Sequence, residues 1–258
     1  MDQNGNNSNQ FEVREPAYLD TFECFDNEES FDKIKETIEK LKKKNNLLIC
    51  DSMCGTGKVG KWMLNNLEKD KIKKVVFTDA SKKMLDSIDS DSEKVLAYGN
   101  KMPFEDCYFD VIVCRYGFNN VERKLYPDIM KEHLRILKDD GILIIHDASV
   151  DNENDKNLIN KIELFFVKID GRNDNPYIPT IDEFENIIND SGGIIIDKKS
   201  FTYVYSVNHR IKTKGLGDID LEELKQILNN NKSSIEFEIK DDDIIIKVPI
   251  KNITVKKS

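Results

Sequence analysis

The residues best placed to do chemistry lie in one glycine-containing loop, Asp51-Ser52-Met53-Cys54-Gly55-Thr56-Gly57-Lys58-Val59-Gly60, and in an acid further on, Asp79. The loop follows the apolar run Leu48-Ile49-Cys50 and precedes an amphipathic stretch. Glycine lets a backbone approach a ligand closely and adopt positive φ, and the free N–H groups at a helix start then meet that ligand. A P-loop is excluded, because Lys58 is followed by Val59 and the hydroxyl that should hold Mg²⁺ is missing. A dinucleotide site is harder to dismiss. Gly55-Thr56-Gly57-Lys58-Val59-Gly60 is a literal G-x-G-x-x-G, and Asp79 lies at the spacing of a ribose contact.

Asp51 decides between cofactors. It ends the first strand, close to where a pyrophosphate would sit, and two negative groups there repel with no cation between them. A cationic cofactor without phosphate removes the conflict. S-adenosylmethionine, with a sulfonium, an α-amino group and a ribose diol, has that chemistry.

Four motifs in order then resemble one superfamily, the class I S-adenosylmethionine-dependent methyltransferases. Asp51-Ser52-Met53-Cys54-Gly55-Thr56-Gly57 is similar to its first motif, D-x-G-x-G-x-G, with Met53 at the first glycine. Thr78-Asp79-Ala80-Ser81-Lys82-Lys83-Met84-Leu85 resembles the second, an acid followed by S-x-x-M-L. Gly99-Asn100-Lys101-Met102-Pro103-Phe104 with Phe109-Asp110-Val111-Ile112 resembles the G-D-A-x-x-L-P-F … F-D-x-V block, and Leu137-Lys138-Asp139-Asp140-Gly141-Ile142-Leu143 the L-K-P-G-G-x-L turn. Tyr116-Gly117-Phe118-Asn119-Asn120-Val121 is similar to a stretch of the ubiquinone/menaquinone C-methyltransferase-like group (methyltransferase domain type 11/25), with Asn119 in place of its Arg.

The resemblance implies roles. Asp51 would hold the cofactor's amino group, and Asp79 both ribose hydroxyls, since a carboxylate offers two oxygens to a vicinal diol. Met53, Gly55 and Gly57 would shape the loop around the cofactor. Ala80 and Met84 would pack around the adenine, with Lys101 and Met102 on its other side, and the amide oxygen of Asn100 would accept from the adenine amino group. Arg115 and Tyr116 follow strand four, on the carboxyl edge of the sheet where ligands bind in such folds. Tyr116 would line the passage between donor and acceptor. His146 and Asp147 end strand five, and one of them could act as a general base if the acceptor must lose a proton. His133 reads as surface or packing and His209 as a remote substrate contact. No spacing of His, Cys and Asp suggests a metal.

The elements that must position these residues alternate. Apolar spacing over Glu28–Lys44 predicts a helix, Leu47–Cys50 a buried strand, Val59–Leu67 a helix, Lys74–Thr78 a strand and Ser81–Ile88 a helix capped by Ser81. Val95–Tyr98 and Asp110–Cys114 follow as strands, Leu125–Leu137 as a helix, and Gly141–His146 as a strand after an Asp139-Asp140-Gly141 turn. Beyond residue 150 the pattern is less regular. A helix capped by Thr180 spans Ile181–Asp190, strands fall at Ile194–Ile196 and Phe201–Val207, and a helix at Asp218–Asn230. A hairpin of Ile235–Ile239 and Ile244–Val248 turns at Asp241-Asp242, and Pro249 interrupts before a final strand at Ile250–Val255. Such alternation predicts an α/β, doubly wound, mostly parallel sheet of seven strands. Residues 1–10 read as a disordered tail and 11–258 as one domain, with 218–248 inserted.

Composition sets the outer bounds. The chain has 258 residues and 39 Lys+Arg against 48 Asp+Glu, a net charge of −9, which argues against a nonspecific grip on nucleic acid. No apolar run approaches the roughly 20 residues of a membrane helix, and the start lacks a secretory pattern, so the chain reads as cytoplasmic. Five cysteines, with no pair at the spacing of a zinc or redox site, read as reduced and mostly buried thiols. The expected activity is methyl transfer to a small-molecule acceptor, with homodimerisation left open. A protein side chain as acceptor, a nicotinamide oxidoreductase and a non-catalytic cofactor-binding protein are the alternatives.

Overall fold

A computed structural model describes residues 28–41, 45–171, 176–213, 215–240 and 243–258. The tail expected at 1–10 and the turn at Asp241-Asp242 lie outside the described residues. The chain runs α1 (Glu28–Glu39), β1 (Leu47–Ser52), α2 (Lys58–Asn66), β2 (Ile72–Asp79), α3 (Lys82–Asp86), β3 (Glu93–Leu96) and β4 (Phe109–Arg115). It continues through α4 (Tyr126–Ile136), β5 (Leu137–Ala148), α5 (Glu153–Ile169), α6 (Ile181–Asp190) and β6 (Gly193–Ser206). The last elements are α7 (Val207–Thr213), α8 (Glu222–Asn229), β7 (Phe237–Ile239) and β8 (Ile244–Lys257).

The strands form one sheet in the order β3-β2-β1-β4-β5-β8-β6, with β7 attached to β8 as an eighth. From β3 to β5 all pairings are parallel, and β8 runs antiparallel to both β5 and β6. The expected α/β sheet is therefore present, one strand larger than expected. Strands alternate their side chains between two faces, and here both faces are apolar. Cys50, Ile112, Cys114, Leu143 and Ile145 pack with residues of α4 and α6. Ile49, Val111, Val113, Ile142 and Ile144 pack with residues of α1 and α2. A third cluster joins α5, α7 and α8 to the parts of β6 and β8 that run past the end of β5.

The structure departs from the sequence pattern in four places. Helix α5 was not anticipated, although Leu158, Ile159, Ile162, Phe165 and Phe166 follow helical spacing and Asn152 caps the start by accepting from Asp155 N. Strand β6 is continuous where two strands were expected, absorbing a register shift between Ile195 and Asp197. Asp139-Asp140-Gly141 does not precede β5 but bulges within it, since Leu137 pairs with Phe109 and Ile142 with Val111. Pro249 does not interrupt β8. Lys247 N donates to Glu236 O on the β7 side, so the next residue with the same orientation is Pro249. Along β8, pairing with β7 ends at Ile246 and pairing with β5 begins at Ile250, so the missing N–H falls in the gap between those two neighbours.

Among the described residues, no helix is long and apolar enough to cross a membrane.

Candidate active site

A cleft opens at the carboxyl ends of β1, β2 and β4, where a parallel sheet of this kind binds ligands. It is lined by Asp51, Met53, Gly55, Asp79, Ala80 and Met84, and by Asn100, Arg115 and Tyr116. Nine of the residues singled out in the sequence are thus brought to one place.

Each acid is fixed by backbone. Asp51 Oδ2 accepts from Gly60 N at 2.7 Å, which ties the end of β1 to the first turn of α2. Asp79 Oδ2 accepts from Gly55 N at 2.8 Å and its Oδ1 from Ser81 N at 2.9 Å. Ser81 in turn caps α3, its side chain accepting from Met84 N. Burial raises Asp51 to about 7, helped by the neighbouring Asp79 charge and opposed by Gly60 N and Arg115. Burial likewise raises Asp79, against the hydrogen bonds it accepts.

The loop between them is built for close packing. Gly57 has φ +69 and caps α2, and a Cβ there would stand 2.9 Å from both Ile88 and Phe77. Met53 adopts φ +54, a conformation that favours glycine, the residue the resembled motif has there. Its side chain does not block the cleft. It lies in a slot left by Gly99 and Gly117, with Cys114 Sγ 3.9 Å from its sulfur.

The other predicted residues lie elsewhere. Gly57 supports the loop from beneath. Lys101 is exposed, while Met102 is buried in the core and its N–H donates to Glu132 Oε1. Tyr98 and Gly99 line the cleft on that side instead. His146 and Asp147, being successive strand residues, point to opposite faces. Asp147 accepts from Phe118 N at 2.8 Å and so holds the turn after β4; burial raises it to about 7. His146 is buried, lowered to about 3 by desolvation and by Arg115, and its ring meets that of Tyr116 edge-on at 5.4 Å. His133 is not a surface residue. It is fully buried, its Nδ1 donating to Ile129 O at 2.7 Å and its Nε2 accepting from Ser52 Oγ at 2.8 Å, and burial lowers it to about 4. His209 is exposed on α7.

Sequence reasoning missed the apolar end of the cleft, formed by Val121, Leu125 and Ile129. Leu125 and Ile129 stand four residues apart at the start of α4. That spacing gave the face of the helix but not what it faces. The F-D pair proves structural: Asp110 accepts from Leu48 N and from Lys138 Nζ, fastening β1 and β5 to β4. Among the described residues, no group of three His, Cys, Asp or Glu side chains could hold a metal ion.

Residues 50–145 match the model of a methyltransferase domain. Among curated proteins none matches the chain. Among solved structures, the fold is similar to that of a Bacillus halodurans protein provisionally described as a methyltransferase, with TM-score 0.69 and 16% identity over 88% of this chain and 98% of that one. The YcgJ protein of Bacillus subtilis has TM-score 0.67 and 17% identity over 87% and 98%. Geranyl diphosphate C-methyltransferase from Streptomyces coelicolor, solved with Mg²⁺, geranyl diphosphate and S-adenosyl-L-homocysteine, has TM-score 0.55 and 10% identity over 90% and 78%. The fold is the Rossmann-like one of class I methyltransferases.

Proposed function

We propose that this chain transfers a methyl group from S-adenosylmethionine to a small-molecule acceptor. One observation carries the reading: two carboxyl groups, Asp51 and Asp79, line the same cleft, each already oriented by backbone N–H donors. That donor set fits a cationic nucleoside and opposes a pyrophosphate. Asp79 uses one acceptor site on each oxygen for backbone, which leaves lone pairs on both for a vicinal diol. Asp51 would hold the amino group, Ala80 and Met84 the adenine from one face, and Asn100 its edge. S-adenosylmethionine supplies, when bound, a methyl group already activated on a sulfonium.

The work left to the chain is positioning. The Asp147 carboxyl holds the 118–120 turn, and Tyr116, strained at φ +52, lines the cleft with its ring edge-on to that of His146. At about 3, His146 is neutral at physiological pH and a weak base. An acceptor that needs no strong base is therefore favoured. The acidic surface and the lobe of α5, α8 and the β7–β8 hairpin beside Tyr116 support a small molecule over a protein side chain. The short likeness around Tyr116–Val121 supports the C-methyltransferase-like subgroup.

Titration calorimetry with S-adenosylhomocysteine tests the reading. One site per chain, with no heat from NADH, is expected. Binding of NADH without S-adenosylhomocysteine would overturn it.

A further inference from the structure

Three buried polar side chains with atoms that lack a hydrogen-bond partner lie next to one another, beyond the part of the cleft described above. His146 is 2% exposed, Asn252 1% and Thr254 1%. His146 Nδ1, both polar atoms of the Asn252 amide and Thr254 Oγ1 have no hydrogen-bond partner. His146 and Asn252 are direct partners across β5 and β8, and Thr254 is two residues along on the same face. Their strand neighbours Ile145, Ile253 and Val255 belong to the core beneath α4 and α6, so the three polar groups turn to the other face, the one that carries α1. Helix α1 is tied down there by Lys33, whose ammonium is 2.5 Å from Asp197, the register partner of Thr254 on β6.

A buried polar group without a partner costs about 1–3 kcal/mol, and such groups are few in folded proteins. Three on adjacent strands, contributing four orphaned atoms, make a built feature. Sites that recognise ligands commonly sacrifice stability in this way. The feature also adjoins the cleft, since Tyr116 packs edge-on against His146 and lies under the Arg115 guanidinium at 4.6 Å.

We propose that His146, Asn252 and Thr254 form the recognition patch for a neutral hydrogen-bonding group of the methyl acceptor, a hydroxyl or a carboxamide. This rests on the methyl-transfer reading and deepens it. Asn252 and Thr254 each offer a donor and an acceptor, and His146 is neutral, so the patch carries no charge. Arg115 acts on carboxyl groups, Asp51 and Asp147, and the β6 register partners of Asn252 and Thr254, Lys199 and Asp197, are of opposite sign, so the charges around the patch favour neither an anionic nor a cationic guest. Such a patch discriminates strongly, because a guest lacking the group would leave the buried atoms unpaired.

Three measurements on the full chain and its Asn252→Leu and Thr254→Val variants test this. Thermal unfolding without ligand is expected to rise by roughly 2–4 °C in each variant, the shift of about 1 kcal/mol in a domain of this size. Affinity for S-adenosylhomocysteine is expected to stay within twofold. In saturation-transfer NMR, benzamide is expected to bind the wild type and to lose its signal in both variants, while benzoate and benzylammonium give none. Lower melting of both variants would mark the groups as structural and overturn the proposal. A tenfold loss of S-adenosylhomocysteine affinity would assign the patch to the cofactor instead, and overturn it equally. So would a wild type that ignores benzamide or accepts the charged probes as well. The cofactor titration on the wild type stands apart, so a failure of the methyl-transfer reading is recognisable separately.

Discussion

Met53 occupies the space that Gly117 leaves open: a Cβ built on Gly117 would stand 3.1 Å from both Cβ and Sδ of Met53, and one on Gly99 2.9 Å from that sulfur. A bulky residue at a glycine position of the cofactor loop is thereby compatible with an open cleft. The two glycines, far away in sequence, supply the room.

Gly99→Ala should therefore drive Met53 toward the cleft, because Cys114 and Gly117 confine it on the other sides. We expect a loss of roughly tenfold in S-adenosylhomocysteine affinity and about 1–3 kcal/mol of stability, the range for overpacking. Adding Met53→Gly should restore the affinity. A double-mutant cycle by calorimetry measures the coupling, and strictly additive effects would contradict the slot.

Asp51 should make cofactor binding and stability respond to pH in opposite senses. Its folded value of about 7 lies above the unfolded one, so between about pH 4 and 7 the folded chain holds a proton that the unfolded chain has lost. The stabilisation this gives is complete at low pH and declines as pH rises through that window. Binding a cationic amino group needs the carboxylate, so affinity for S-adenosylhomocysteine should increase from pH 6 to pH 8. Asp51→Asn is expected to flatten the binding profile and to lessen the slope of the stability profile, of which Asp147, also raised to about 7, keeps its share, as followed by calorimetry and denaturant unfolding across that range.

Asp79 does two things at once, anchoring Gly55 and Ser81 and presenting its oxygens to the cleft. Asp79→Ala should reduce cofactor affinity by at least about 100-fold, the equivalent of losing hydrogen bonds to a charged group. Asp79→Asn, which keeps one accepting oxygen, should fall between. Far-ultraviolet circular dichroism should show the helix content retained in both, and equal affinities across the three proteins would argue against a ribose contact.

Arg210 and Glu163 join α7 to α5 through two hydrogen bonds of 2.9 and 3.1 Å, with the guanidinium 3.6 Å above the Phe166 ring. Both side chains are largely buried, at 15% and 21% exposure. Glu163→Gln should take from a largely buried cation the carboxylate that two hydrogen bonds join to it and lower stability by about 3 kcal/mol. Chemical denaturation reads this directly; an unchanged midpoint would mean that the pair contributes little.

Much of this was legible in the chain itself. The strands β1, β2, β4 and β5 are short apolar runs that only burial on both faces can satisfy, and the helices between them carry one apolar stripe each. Asp51 and Asp79 stand at strand ends, which in a parallel sheet means one shared edge. Helix α5 could also have been found from its spacing and its Asn cap. What local pattern could not supply was decided by neighbours remote in sequence. Pro249 sits inside a strand because two flanking strands happen to leave a gap at that residue. Met53 is tolerated because Gly99 and Gly117 meet around it. His146 and Asp147 look equivalent side by side, yet the pleat sends one toward Tyr116 and the other beneath the turn it holds. The sequence determined the periodicities and the carboxyl-edge chemistry, since those depend on residues close along the chain. The tertiary structure alone decided the shape of the cofactor loop and the unpartnered patch on β5 and β8, because burial and hydrogen-bond satisfaction depend on whatever the fold places alongside.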